Sequence, residues 1–181
     1  MHLLLSLAGI YIPEFAKKKK LGRLFAETAD AFGTDMPSLG RLTFEECLKQ
    51  YALFTKENAE EAIRKRTEIE VKHKLYQNAY HLGQGLREEF GVRSIKDAMR
   101  LARLVYRIVA IDFRSSTQGE VVISRCFFSS FYSPAVCGVI SSLDAGLLQG
   151  ISGGGRLSFQ QRLTEGGECC RARLSFGVRS T

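Results

Sequence analysis

Four of the five cysteines lie in the last third of the chain, and an aspartate lies among them. These residues are Cys126, Cys137, Cys169, Cys170 and Asp144. A thiolate is a soft ligand for zinc and, once ionised, a strong nucleophile. A nearby carboxyl can transfer a proton during hydrolysis, or it can complete a tetrahedral metal site. We therefore expect any chemistry of this chain between Cys126 and Cys170.

Three uses of these thiols stay open from the residues alone. In the first, Cys126, Cys137 and Cys170 bind zinc, with Asp144 or water as the fourth ligand. In the second, Cys126 or Cys137 is a catalytic nucleophile and Asp144 is the acid or base. In the third, the thiols pack as small hydrophobic side chains in a core. The cysteine spacing matches no compact zinc knuckle, and no histidine follows Cys126.

The segments that carry these residues read as strand, helix and hairpin. A β-branched and aromatic run predicts a strand, and the proline after it predicts the start of a helix. A glycine-rich stretch, which lacks the ending of a phosphate loop, predicts a turn before two paired strands. In chain order the predicted elements are a strand over 120–128, a helix over 134–148, the turn at 150–155, a strand over 156–163, a tight turn at 166–167 and a strand over 169–176.

Periodicity then sorts the candidate side chains by face. Helical spacing places Cys137 and Asp144 on one side of their helix, where they can line one pocket. Alternation along the last strand points Cys170 to the core and Cys169 to the opposite face. In the first strand, Cys126 is in phase with Val122, Ser124 and Phe128.

The first two-thirds of the chain has helical patterning. It predicts a helix over 13–33, a short helix begun by the capping box of Thr43 and Glu46 and ended before Thr55, and a long helix over 56–90, bent near Gly83 and Gly85. Ser94 is the predicted cap of a fourth helix that extends to about residue 111, and residues 115–119 form a turn. The fold class is therefore α+β, an N-terminal helical layer with long helices packed on a C-terminal antiparallel sheet that carries one helix.

Length and composition favour one domain over residues 1–181. Within it we distinguish a helical N-terminal extension (1–55), the long helices (56–113) and a cysteine-containing α+β ligand-binding core (114–181). The net charge is +7. Because the basic residues are spread along the sequence, we expect no specific nucleic-acid binding.

The first twelve residues are apolar, but they fall short of the roughly 20 residues that span a bilayer. We expect no transmembrane segment and a docked terminal helix, with weak membrane-surface contact through Lys17 to Lys20 as the alternative. The odd number of cysteines and the adjacent pair favour reduced thiols and a cytoplasmic protein.

Residues 75 to 176 resemble the 4-vinyl-reductase-type small-molecule-binding domain, and also the related L-2-amino-thiazoline-4-carboxylic acid hydrolase-like family. The elements that carry the resemblance are Cys137, Ala145-Gly146, Gly155-Arg156, and Gly166 or Gly167 ahead of Cys170. Arg125-Cys126 and Asp144 add the likeness to the hydrolase-like family.

The resemblance implies a fold shared with small vesicle-transport subunits, in which helices and an antiparallel sheet enclose an apolar cavity, usually in a homodimer. It also implies a structural zinc in some members, held by the first and last cysteines with a Glu and a Cys on the hairpin. This chain has Gln160, Gln161 and Arg162 there. Cys137 and Cys170 are thus the ligands that carry over, and zinc needs Cys126 or Cys169 in addition.

The first function expected is a small-molecule binding or sensor domain for an apolar or aromatic ligand. Its pocket is Cys-lined and metal-supported if zinc binds, and Arg125, Phe128, Tyr132 and His81 are the candidate ligand-binding residues. The alternative is a thiol-dependent hydrolase of a small cyclic amide or thiazoline-type substrate, with Cys126, Cys137 and Asp144 as catalytic residues. A structural subunit is the third.

Overall fold

The computed structural model describes residues 12–116 and 118–176. The described chain is α+β, with four helices followed by an antiparallel sheet that carries a fifth helix. In chain order the elements are α1 (Glu14–Phe32), α2 (Phe44–Lys65), α3 (Glu68–Glu89), α4 (Ile95–Ile108), β1 (Ile111–Ser115), β2 (Glu120–Cys126), α5 (Pro134–Ser152), β3 (Arg156–Gln161) and β4 (Cys170–Ser175). Short 3-10 turns follow β2 and β3. The predicted fold class is confirmed.

Three caps lie where the sequence predicts the end of α1 and the starts of α2 and α4. Gly33 ends α1 in the left-handed region at φ 67°, and Thr43 with Glu46 forms the capping box of α2. The Ser94 hydroxyl accepts a hydrogen bond from the Asp97 N–H at the start of α4. Side-chain caps supply partners for N–H groups that the first helical turn leaves without intrahelical bonds.

The predicted boundary at Thr55 and the single helix over 56–90 are wrong. Thr55 is buried within α2, and its hydroxyl donates to the carbonyl oxygen of Tyr51. The break comes at Arg66, which ends α2 in the left-handed region at φ 59°. Residues other than glycine seldom adopt that conformation, so the sequence carries no signal for the break.

Strand β1 lies where the sequence analysis placed the end of a helix. α4 stops at Ile108, Ala110 takes a φ of 56°, and the chain turns into β1 at Ile111. The sheet order is β1-β2-β4-β3, with every pairing antiparallel. α5 connects β2 to β3.

Helices cover one face of this sheet. Side chains on that face are buried, namely Phe113, Val121, Ile123, Ala172 and Leu174. The other face carries exposed Arg114, Arg171 and Arg173. Ser124 and Arg125 of β2 are also exposed, so the helices cover this strand on one face.

Two predictions concern residues outside the described ranges. The docked N-terminal helix, with its alternative membrane contact, falls almost wholly in residues 1–11. The turn over 115–119 includes residue 117.

α3 and α5 approach each other backbone to backbone through three glycines. A Cβ atom on Gly146 would overlap the carbonyl oxygen of Tyr76, and one on Gly150 would overlap that of Tyr80. From the other helix, a Cβ atom on Gly83 would lie 2.5 Å from the Leu147 carbonyl oxygen. Only residues without a side chain permit this distance. The contact fixes α5, which carries Cys137 and Asp144.

Replacing Gly146 by alanine should destabilise the protein by about 1 to 3 kcal/mol, because the added methyl group forces α3 and α5 apart. Gly138→Ala is the matched control on the same helix, since a Cβ atom on Gly138 would have no neighbour within 4 Å. Alanine there should be neutral or stabilising by up to about 1 kcal/mol. Urea unfolding measures both. Equal effects of the two substitutions would refute the close contact.

Candidate functional site

An internal cavity lies between the helices and the inner face of the sheet. Its volume is about 160 Å³. Its wall is mostly apolar, and the side chains come from all five helices, the sheet and the turns after β2 and β3. Among them are Leu24, Leu82, Leu86, Leu104, Val105, Ile140, Leu143, Leu147 and Leu163. The end near the sheet is lined by Cys126, Cys137, Cys170 and Asp144, so the fold brings these four sequence candidates together.

Cys126 reaches the cavity through an irregularity in β2. Ile111 pairs with Cys126 and Phe113 with Ile123, so β2 has one residue more than β1 between these pairs. An extra residue reverses the alternation of side chains along a strand. Cys126 therefore faces the cavity, whereas Ser124, with which the sequence pattern grouped it, is exposed.

Cys137 and Cys170 lie as the periodicity predicts. Cys137 is on the first turn of α5 and lines the cavity together with Asp144. Cys170 is buried at the start of β4, where the Leu163 N–H donates to its sulfur at 3.4 Å. Cys169 is absent from the cavity wall and lies beside an external groove with Gln161. All five cysteines are free thiols.

Asp144 is the acidic residue of the cavity wall. Its Oδ1 accepts a hydrogen bond of 2.8 Å from the hydroxyl of Tyr106, whose ring stacks on Phe113 at a centroid distance of 4.6 Å. Burial raises the pKa of Asp144 to about 6, against the smaller lowering by the Tyr106 hydrogen bond and the charge of Arg162. A carboxyl in this setting titrates near neutral pH, as acid and base groups of functional sites often do.

Burial is also the main cause of the pKa shifts of the cavity thiols. It raises the pKa of Cys126 to about 12, and the negative charge of Asp144 adds to the effect. The pKa values of Cys137 and Cys170 are raised too, again mainly by burial. At neutral pH all three are therefore protonated, whereas a cysteine nucleophile needs its thiolate.

The aromatic candidates Phe128 and Tyr132 line the same cavity. Phe128 stacks on Tyr132 at a centroid distance of 5.6 Å. The Tyr132 hydroxyl is hydrogen-bonded to the Thr55 hydroxyl in the core. Tyr132 thus offers its ring to the cavity, whereas its hydroxyl is bonded within the core.

Arg125 and His81 do not line the cavity. Arg125 is exposed and borders a shallow surface depression beside β1. His81 is exposed on α3 and does not line the cavity. The bulge that turns Cys126 inward leaves Arg125 outside. For His81 the cause is the face of α3 that packs inward, which is formed by Leu75, Ala79, Leu82 and Leu86.

Two polar residues of the site were missed by sequence reasoning. Tyr106 lies on the apolar face of α4. A tyrosine hydroxyl on such a face is the sequence signal for a hydrogen bond to a buried partner. Thr164, on the turn after β3, lines the cavity with a buried hydroxyl that lies beside the Cys137 thiol. Nothing in the sequence singles it out.

The zinc site that the family resemblance implies would need at least three protein ligands close together. Within residues 12–116 and 118–176, no three His, Cys, Asp or Glu side chains are grouped closely enough to hold a metal ion. The Cys170 sulfur accepts a hydrogen bond from a backbone N–H, and Gln161 bonds the Cys169 carbonyl oxygen. Zinc binding by Cys126, Cys137 and Cys170 stays a prediction.

Fold and site together define an α+β protein with an internal, mostly apolar cavity that contains one carboxyl and three thiols. Comparison of the chain with protein-family models, curated proteins and solved structures finds no match. The resemblance to the 4-vinyl-reductase-type and hydrolase-like families, the homodimer and the cytoplasmic location therefore stay predictions. In the described part of the chain, α5 is long and apolar enough to span a membrane. A helix packed in a protein core can have the same length and composition.

Alkylation should report the protonation of the thiols. We expect iodoacetamide at pH 7.5 to modify Cys126 and Cys137 at least about tenfold more slowly in the folded protein than in the urea-unfolded chain. The reason is that burial raises the pKa of both thiols in the folded protein, whereas a free cysteine has a pKa of about 8.5. Peptide mass spectrometry measures each cysteine separately, and the unfolded chain is the control. Faster labelling of Cys126 or Cys137 in the folded protein would show an activated thiolate.

The raised pKa of Asp144 predicts how stability depends on pH. From about pH 4 to pH 6 the unfolded chain releases this proton while the folded protein retains it, so the free energy of unfolding falls as pH rises. A pKa shift from 3.8 to about 6 corresponds to about 3 kcal/mol. Asp144→Asn should thus gain stability relative to wild type by about this amount between pH 4 and pH 7.

Asp112→Asn is the control for that measurement. Hydrogen bonding by Ser124 is the main cause that lowers the pKa of the exposed Asp112. The stability that ionised Asp112 contributes is therefore lost only when the pH falls below the usual pKa of an aspartate. The substitution should bring no gain in stability from pH 4 to pH 7. A flat difference between Asp144→Asn and wild type across this range would contradict the burial of an ionised carboxyl.

Proposed function

We propose that this protein binds a small, largely apolar molecule in the cavity between its helices and its sheet. The observation that carries the proposal is the cavity itself, with a mostly apolar wall in which Asp144 lies near the thiols of Cys126, Cys137 and Cys170. Ligand sites commonly combine an apolar lining with a small number of polar groups that fix orientation. In this cavity Asp144, Thr164 and the thiols can supply those polar groups.

The volume limits the ligand to a small one. An apolar protein cavity of about 150 Å³ admits benzene. The cavity here measures about 160 Å³. A single aromatic ring with a short substituent therefore matches the space, and larger ligands require the walls to move.

The chemistry of the thiols favours binding over thiol-dependent hydrolysis. Each cavity cysteine has a raised pKa, with burial as the main cause. Asp144 adds negative charge, which opposes ionisation of a neighbouring thiol further. A hydrolase would need the opposite electrostatics at Cys126 or Cys137.

Filling the cavity tests the proposal. We expect toluene to raise the melting temperature of the wild-type protein and Leu143→Phe to lower this effect strongly, because the larger ring occupies the space of the ligand. Leu53→Phe is the matched control, since Leu53 is exposed on α2 and outside the cavity. Calorimetric titration gives the affinities.

Ile140→Phe serves as a second cavity variant if Leu143→Phe does not fold, since Ile140 also lines the cavity. Leu53→Phe should bind toluene as wild type does. Absence of toluene binding by the wild type, or equal binding by the cavity and control variants, would refute the proposal.

A further inference from the structure

The cavity contains a carboxyl group that the binding of a purely apolar ligand does not require. Asp144 places a carboxyl group in a wall otherwise built mainly from leucine, isoleucine, valine and aromatic side chains. Its Oδ1 is bonded to Tyr106, and no described residue donates a hydrogen bond to its Oδ2. A carboxylate that is largely removed from water and has spare acceptor capacity is costly in free energy unless something pairs with it.

Three cations of the protein lie near this carboxyl or line the cavity. Arg162 is the cation that stabilises its ionised form. The Arg162 guanidinium is tied to Glu165 at 3.1 Å and lies over the Phe159 ring. Lys20 and Arg23 line the cavity from α1, and Lys20 bonds Glu89 at 3.1 Å.

The other titratable groups around Asp144 are neutral at pH 7. They are Tyr51 from α2, Tyr106 from α4, Cys126 at the end of β2, Tyr132 on the turn that follows, Cys137 on α5 and Cys170 on β4. Burial raises the pKa of each of them above its ordinary value. None of these groups therefore neutralises the carboxylate, and a ligand that enters the cavity meets an acceptor with a negative charge.

We infer that the ligand class of this cavity is a small apolar molecule with a protonated nitrogen, whose ammonium group pairs with Asp144. The inference rests on the proposed binding function and adds the chemistry that selects the ligand. The apolar body fills the leucine-lined part of the cavity, and the N–H groups of the ligand donate to the Asp144 carboxylate. Hydrogen bonds between charged partners are among the stronger ones in proteins.

The raised pKa of Asp144 fits this role. A cationic ligand stabilises the ionised carboxylate, so binding lowers the pKa of Asp144 and is strongest where the group is already ionised. Binding should therefore weaken as pH falls from 7.5 to 5. The amine of the ligand stays protonated over this range, as a lysine side chain does.

A matched ligand series tests the inference on the full chain. Toluene, benzylamine and benzoate share one ring and differ in charge. At pH 7.5 we expect the affinity ratio of benzylamine to toluene to be at least about tenfold higher for wild type than for Asp144→Asn, while toluene itself binds both proteins alike. The wild type alone should lose benzylamine affinity several-fold at pH 5, which keeps the test valid if the variant does not fold.

The outcomes separate the inference from the proposed function. Toluene binding with an equal benzylamine ratio in wild type and Asp144→Asn overturns the inference and leaves apolar ligand binding intact. Tighter binding of benzoate than of benzylamine also overturns it, because Lys20, Arg23 or Arg162 would then select the ligand. Failure of toluene to bind the wild type overturns the proposed function itself.

Discussion

The backbone contact between α3 and α5 is the constraint on which the site depends. Gly83, Gly146 and Gly150 remove side chains from this contact, so the two helices lie closer than any larger residues allow. α5 also packs on α4, and it joins the two hairpins of the sheet. Its rotation about its own axis is thereby fixed, and this rotation points Cys137 and Asp144 toward the cavity.

The cavity left beside this contact has a polar end and an apolar body. The polar end holds a carboxyl group that burial makes hard to ionise, next to thiols that burial keeps protonated. A polar residue that lowers the stability of a fold is commonly found at a functional site, where activity compensates for the loss. Asp144 is such a residue, and a ligand cation would offset the unfavourable burial of its charge.

The sequence was sufficient where one periodic element decided the position of a side chain. Helical spacing placed Cys137 and Asp144 on one face, and strand alternation separated Cys170 from Cys169. The same reasoning failed for Cys126, because the bulge in β2 opposite β1 depends on pairing with a strand that the pattern did not reveal. A local pattern carries no information about an extra residue in the register of two strands.

Tertiary contacts explain the remaining differences. The break at Arg66 requires a left-handed non-glycine residue, which local propensity does not predict. The Tyr106 partner of Asp144 comes from another helix, and the pattern showed it merely as part of an apolar face. His81 was expected near the ligand because of its residue type, but the leucine face of α3 points to the core and leaves His81 exposed.

Methyl NMR tests most directly whether the cavity is the ligand site. In protein labelled at leucine methyl groups, titration with benzylamine should shift the signals of Leu143, Leu147 and Leu163, which line the cavity, and leave that of exposed Leu53 unchanged. Shifts confined to surface leucines, or no shifts at saturating benzylamine and toluene, would contradict a binding cavity in this fold.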